Sequence, residues 1–148
     1  MASPTQRMET HPDIVAMRMP YERAAESRVA QITEGLALLA GVYLAISPWV
    51  VGFTALTTIT VNNLVTGIAV ALLALGFASA FGRTHGLTWV LPLVGIWTII
   101  SPWVVSGEVN TVAVVTNNVI IGAVILLLGL ATMAFGMRRE GARRAAER

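Results

Sequence analysis

The sequence predicts an all-α integral membrane fold, with four transmembrane helices arranged as two two-helix repeats of the same orientation. Three observations carry this. First, 55% of the 148 residues are hydrophobic and only 12% are charged, about half the charge of a typical soluble domain. Second, the charges are segregated. None falls within residues 35–82, and Glu108 stands alone within 84–137. Helices packed in water need charge on their outer faces, and lipid imposes no such need. Third, Ser47-Pro48-Trp49-Val50-Val51 returns unchanged as Ser101-Pro102-Trp103-Val104-Val105.

The N-terminal segment, residues 1–33, is polar, of mixed charge, and lacks the apolar stretch of a signal peptide. Pro20 suits a first helical position. After it Tyr21, Ala24, Ala25, Val29 and Ile32 recur at helical spacing. A short amphipathic helix is therefore expected over about 20–34. It either lies on the membrane surface or continues into the first span.

Repeat 1 covers residues 35–82, with spans expected at about 35–53 and 62–82. Nineteen residues at 1.5 Å rise cover about 28 Å, close to the hydrocarbon thickness. Ala37, Gly41 and Ala45 fall on one face, a row of small residues that lets another helix approach. Thr-rich residues 54–61 turn the chain. Asn62 and Asn63 suit the start of a helix, where a side-chain oxygen caps a free backbone N–H. Gly82, Arg83, Thr84, His85 and Gly86 make a tight connection.

Repeat 2 covers residues 87–137, with spans expected at about 87–105 and 117–137. Pro92 lies near its start, where proline is tolerated. A loop holding Ser106, Gly107, Glu108 and Asn110 leads to Asn117 and Asn118. Residues 138–148 form a basic tail that could extend the last helix. The internal match is ordered: Gly41, Ser47, Pro48 and Trp49 stand 54 residues before Gly95, Ser101, Pro102 and Trp103. Tyr43 falls on Trp97 at the same offset. Asn62, Asn63 and Gly67 stand 55 before Asn117, Asn118 and Gly122. Each repeat has an even number of spans, so the copies point the same way, about an axis along the membrane normal.

All ten basic residues are arginine, and they fall in the N-terminal segment, the central turn and the C-terminal tail. The positive-inside rule then puts both termini in the cytoplasm and the SPW loops on the extracytoplasmic side of a plasma membrane.

These residues carry a resemblance. Paired SPW motifs, each in a two-helix unit followed by NNxxxG, resemble the SPW-repeat family of small prokaryotic integral membrane proteins, over about residues 33–137. The resemblance implies the four-helix, two-repeat architecture and no defined activity. Some relatives are similar to fusions with other membrane or redox domains, which implies an accessory role.

Two readings of SPW are open on the residues. Pro48 and Pro102 could stop their helices, leaving Trp49 and Trp103 at the interface. Alternatively Ser47 and Ser101 cap a short second helix with proline at its first position. The Asn pairs either cap helices or line a polar vestibule with the two serines.

Much chemistry is disfavoured. There is no Cys, and the two His are His11 and His85, outside the spans. Haem, di-iron and zinc sites need clustered ligands there. No phosphate loop or nucleophile–base pair is visible, and no aromatic-laced basic face suits nucleic acid. No catalytic, cofactor or metal residue is therefore expected. The leading expectation is a non-enzymatic protein working through helix packing in the lipid bilayer, as an accessory subunit, scaffold or homo-oligomer with a possible membrane-protein partner. The alternatives are an oligomeric pore or carrier for a small neutral solute or lipid, and a membrane subunit of an enzyme whose chemistry lies on a partner chain.

Overall fold

A computed structural model describes residues 12–79, 85–105 and 111–147, with only the backbone described over 12–27 and at His85. Four α-helices run through them: α1 Pro12–Val51, α2 Thr57–Ser79, α3 Val90–Val105 and α4 Val112–Ala146, with a 3-10 turn His85–Leu87 before α3. No described residue lies in a strand. The chain divides into two units, Met1–Ile32 and Thr33–Arg148. In the first, helix begins at Pro12, eight residues before Pro20. There Val29 and Ile32 are exposed and Ala30 is buried.

The second unit is apolar both inside and on its outer faces. Its core holds Ala37, Ala40 and Leu44 of α1, Val70, Ala74 and Phe77 of α2, Leu91 of α3, and Ile121 and Ile125 of α4. Polar side chains are also fully buried: Ser47, Asn63, Ser101 and Asn118. The outward faces are aliphatic, with Leu39 65% and Leu127 66% exposed. Such a surface is stable against hydrocarbon and unstable against water. Arg28–Val51, Thr57–Ser79 and Val112–Ala146 are long and apolar enough to cross a membrane, and Val90–Val105 is a shorter apolar helix. This is a four-helix membrane protein.

Small residues set how closely the helices pack. A Cβ on Gly41 would lie 2.7 Å from the Ala71 nitrogen, and one on Gly67 would overlap the Ala45 nitrogen. In the second repeat a Cβ on Gly95 would lie 2.5 Å from the Leu126 nitrogen, and one on Gly122 2.9 Å from that of Ile99. Ala71 and Leu126 are 55 apart, Ala45 and Ile99 are 54 apart. The contacts therefore repeat with the motif offsets, and both helix pairs meet backbone to backbone at the same level. Gly76 faces open space inside α2. Gly76→Ala should thus gain helix propensity without a clash, raising stability by about 0.5–1 kcal/mol in a detergent unfolding titration.

Several expected boundaries shift. α2 starts at Thr57 and α4 at Val112, each five residues before its Asn pair. The asparagines are therefore within helices and do not cap them. Thr111 holds the N-cap position of α4 without a side-chain capping bond. α3 starts at Val90 rather than 87, which puts Pro92 in the first helical turn. A missing N–H costs nothing there. The C-terminal tail does extend α4, to Ala146, with an exposed Arg144–Glu140 pair at 3.4 Å. Arg83 and its neighbours 80–84, the loop residues Ser106, Gly107, Glu108 and Asn110, and His11 lie outside the described residues.

Candidate functional site

The helices run through both SPW motifs, so neither expected reading of proline holds. α1 continues one turn past Pro48 and stops at Gly52, whose φ of +88° is the left-handed conformation that ends helices. The N–H groups of Gly52 and Phe53 both donate to the Pro48 carbonyl, at 3.0 and 2.9 Å. Gly52 is open to solvent or lipid, so only its backbone conformation makes glycine necessary there.

Why serine precedes proline is then a matter of helix register. Proline at position 48 supplies no N–H to the carbonyl four residues back, which is that of Leu44. Ser47 Oγ donates to that same carbonyl at 2.9 Å. In the second repeat Pro102 leaves the Thr98 carbonyl without its donor, and Ser101 Oγ donates to it at 3.0 Å. Both prolines are fully buried, whereas Trp49 and Trp103 are 58% and 52% exposed. Each letter of the motif has its own place: serine repairs the helix, proline packs inside it, and tryptophan faces outward at the helix end, where indole favours the membrane interface.

Each serine hydroxyl, having donated, accepts from the other helix of its own repeat. Asn63 Nδ2 donates to Ser47 Oγ at 3.4 Å, and Asn118 Nδ2 to Ser101 Oγ at 3.1 Å. The two amides also pair with each other across the repeats. Asn63 Nδ2 donates to Asn118 Oδ1 at 2.8 Å, and Asn118 Nδ2 to Asn63 Oδ1 at 3.1 Å. Asn62 Nδ2 donates to Asn63 Oδ1, and Asn117 Nδ2 to Asn118 Oδ1. Each central amide thereby uses two donors and two acceptor sites, its full capacity.

The flanking asparagines carry the network outward. Tyr43 hydroxyl donates to Asn117 Oδ1 at 2.9 Å, and Trp97 Nε1 donates to Asn62 Oδ1 at 3.1 Å. Tyr43 and Trp97 are themselves equivalent positions, so the repeats exchange one bond each way. Beside the network, Phe53, Ile59 and Val114 form an apolar cluster with Val51 and Leu56 packed on it. Ile59 and Val114 are again 55 apart.

Glycine spacing ties the network to the packing. Gly67 and Gly122 lie one helical turn from Asn63 and Asn118, and their lack of a Cβ brings the helices within reach of side chains as short as Ser and Asn. Loss of one hydroxyl leaves one carbonyl and one amide donor short of a partner. Ser47→Ala and Ser101→Ala should each cost about 1–2 kcal/mol, measured by unfolding in detergent.

The profile of the SPW repeat domain matches residues 31–132. The chain belongs to the SPW repeat family. Comparison with curated proteins and with solved structures gave no match. The SPW repeat, as this chain displays it, is a helix pair whose Ser and Asn residues bind the pair together and whose second Asn reaches the other repeat.

One buried group escaped the sequence reading. Glu34 is only 7% exposed, and its Oε1 has no hydrogen-bond partner among the described residues. It lies at the end of the bundle opposite the SPW motifs, where Arg139 of α4 acts on its charge. In the sequence it stands at the edge of a charged segment, which hides it among surface residues. Its place one helical turn before the core residue Ala37 is the signal that marks it. Among the described residues no group of His, Cys, Asp and Glu could hold a metal ion.

Proposed function

We propose that this SPW repeat protein is a non-enzymatic membrane component that acts through helix packing, as an accessory or scaffolding subunit. The observation that carries the reading is how the SPW-end polar groups are spent. The serine hydroxyls and the central amides satisfy one another, so none of these four buried groups is left over to bind or turn over a substrate. A solute path along the pseudo-two-fold axis would have to break the Asn63–Asn118 pair. What is left for interaction is an aliphatic outer surface, suited to lipid and to other transmembrane helices.

On this reading the chain sits in the plasma membrane with both termini cytoplasmic and the SPW end outside. The arginine distribution supports that orientation, and a reporter fused after Arg148 is expected on the cytoplasmic side. The functional proposal is tested by native purification in mild detergent and mass spectrometry of the intact assembly. A stoichiometric membrane-protein partner is the expected result. A chain that purifies without a partner and passes small neutral solutes when reconstituted in liposomes would overturn it.

A further inference from the structure

Helix packing accounts for the polar groups at the SPW end and leaves a carboxyl unexplained at the other. Glu34 stands one turn before Ala37 on the buried face of α1, and its Oε1 is enclosed with no hydrogen-bond partner among the described residues. The charged group that acts on it among those residues is Arg139 of α4. The neighbours of Arg139, Arg138 and Glu140, are exposed. The last described residues of α2, Phe77, Ala78 and Ser79, carry no charge, and neither do Leu87, Thr88 and Trp89 ahead of α3. The repeat shows that the fold does not require this pair. Glu34 stands 54 residues before Thr88, and Arg139 stands 55 after Thr84. At the equivalent positions across the pseudo-two-fold axis, both charged residues are threonine.

We propose that Glu34 is a proton-binding site, whose carboxyl holds a proton at neutral pH and exchanges it with water at its end of the bundle. The step is a plain acid–base equilibrium: the carboxylate takes a proton from water and needs no other reactant. A carboxylate oxygen that is enclosed and meets no donor is costly, and neutralising the group removes that cost. A proton fits where a larger cation does not. Oε1 is shut off from solvent, so no metal ion can stand beside it, and the described residues offer no set of ligands for one. The path is short. Glu34 stands one residue before the uncharged run that begins at Gly35, so a proton reaches it without crossing hydrocarbon. Arg139 gives the ionised form a counter-charge, which keeps the proton exchangeable.

Infrared spectroscopy of the full-length protein in lipid nanodiscs reads the proton directly, because a protonated carboxyl has a carbonyl stretch that a carboxylate lacks. At neutral pH the parent is expected to show this band, moved by D₂O, and Glu34→Gln to lose it. That variant changes one of the 8 acidic residues, so the lost band belongs to Glu34. Raising the pH should bleach the parent band. Arg139→Gln removes the counter-charge, so its band should persist and bleach at a higher pH than the parent's. A parent without the band, a band kept in Glu34→Gln, or a band that Arg139→Gln removes or leaves unmoved overturns the proposal. If Glu34→Gln fails to fold, the comparison of the parent with Arg139→Gln decides alone: later bleaching upholds the site, and unchanged bleaching overturns it. Partner mass enters none of these readings, so failure here leaves the proposed packing role untouched.

Discussion

Asn118→Leu is expected to destabilise the protein by about 2–3 kcal/mol, with Asn63→Leu close behind. Asn118 takes part in both bonds of the central pair, donates to Ser101 and accepts from Asn117. Its removal strands one donor and one acceptor of Asn63 in the core. A stranded buried group costs about 1–3 kcal/mol in a soluble protein. Interhelical bonds in membranes average about 0.6 kcal/mol, because the unfolded chain in lipid also finds partners. Losing several bonds at once brings the total to the stated range. The diagnostic quantity is the double variant. Asn63→Leu with Asn118→Leu leaves neither amide stranded, so its cost should fall short of the summed single costs by about 1–2 kcal/mol. Detergent unfolding titrations of the four proteins give this coupling. Additive costs would mean that the two amides do not pair.

Gly67→Ala is expected to be at least as damaging, at about 3 kcal/mol or more, and Gly67→Leu should prevent folding. The added Cβ on Gly67 meets backbone only, at Ala45 and at the Gly41 carbonyl. Backbone in a helix cannot swing aside, so α1 and α2 must separate. Separation also pulls Asn63 away from Ser47. Its equivalent, Gly122, should be more forgiving. The nearest atom to a Cβ there is Ile99 Cγ1 at 2.7 Å, with backbone next at 2.9 Å. A side-chain carbon can rotate away, and Gly122→Ala should cost about 1–2 kcal/mol. Thermal unfolding of the two alanine variants side by side checks the order. Equal losses would contradict the geometry.

The architecture was legible because lipid writes it in long uncharged runs. Residues 35–82 and 84–137 could hardly be anything but paired spans, and the 54 and 55 offsets identified the repeat. The later finding that Gly41 and Gly95 face equivalent neighbours adds contacts to positions the sequence already aligned. The role of Asn63 and Asn118 was not legible in the same way. Each lies 16 or 17 residues from the serine it bonds and 55 from the amide it pairs with. An Asn pair after a turn has the local look of a cap, and only the earlier starts at Thr57 and Val112 turn it inward.

The SPW motif was misread for a related reason. Its proline invites thoughts of a break. Yet Ser47 sits where its hydroxyl can serve the carbonyl that Pro48 abandons, and a helix repaired in this way need not stop. The stop belongs to Gly52, a residue without special marks in the sequence. Glu34 was missed because burial on one helix face cannot be seen from a neighbourhood full of charge.

The most direct measurement of the central claim is the side-chain amide spectrum of the ¹⁵N-labelled protein in lipid nanodiscs. The account predicts that the amide protons of Asn63 and Asn118 show mutual cross-relaxation and exchange slowly with bulk D₂O, and that Asn118→Leu shifts the Asn63 pair. Two independent amides that exchange rapidly, as in a water-filled vestibule, would contradict the closed pair and the packing role built on it.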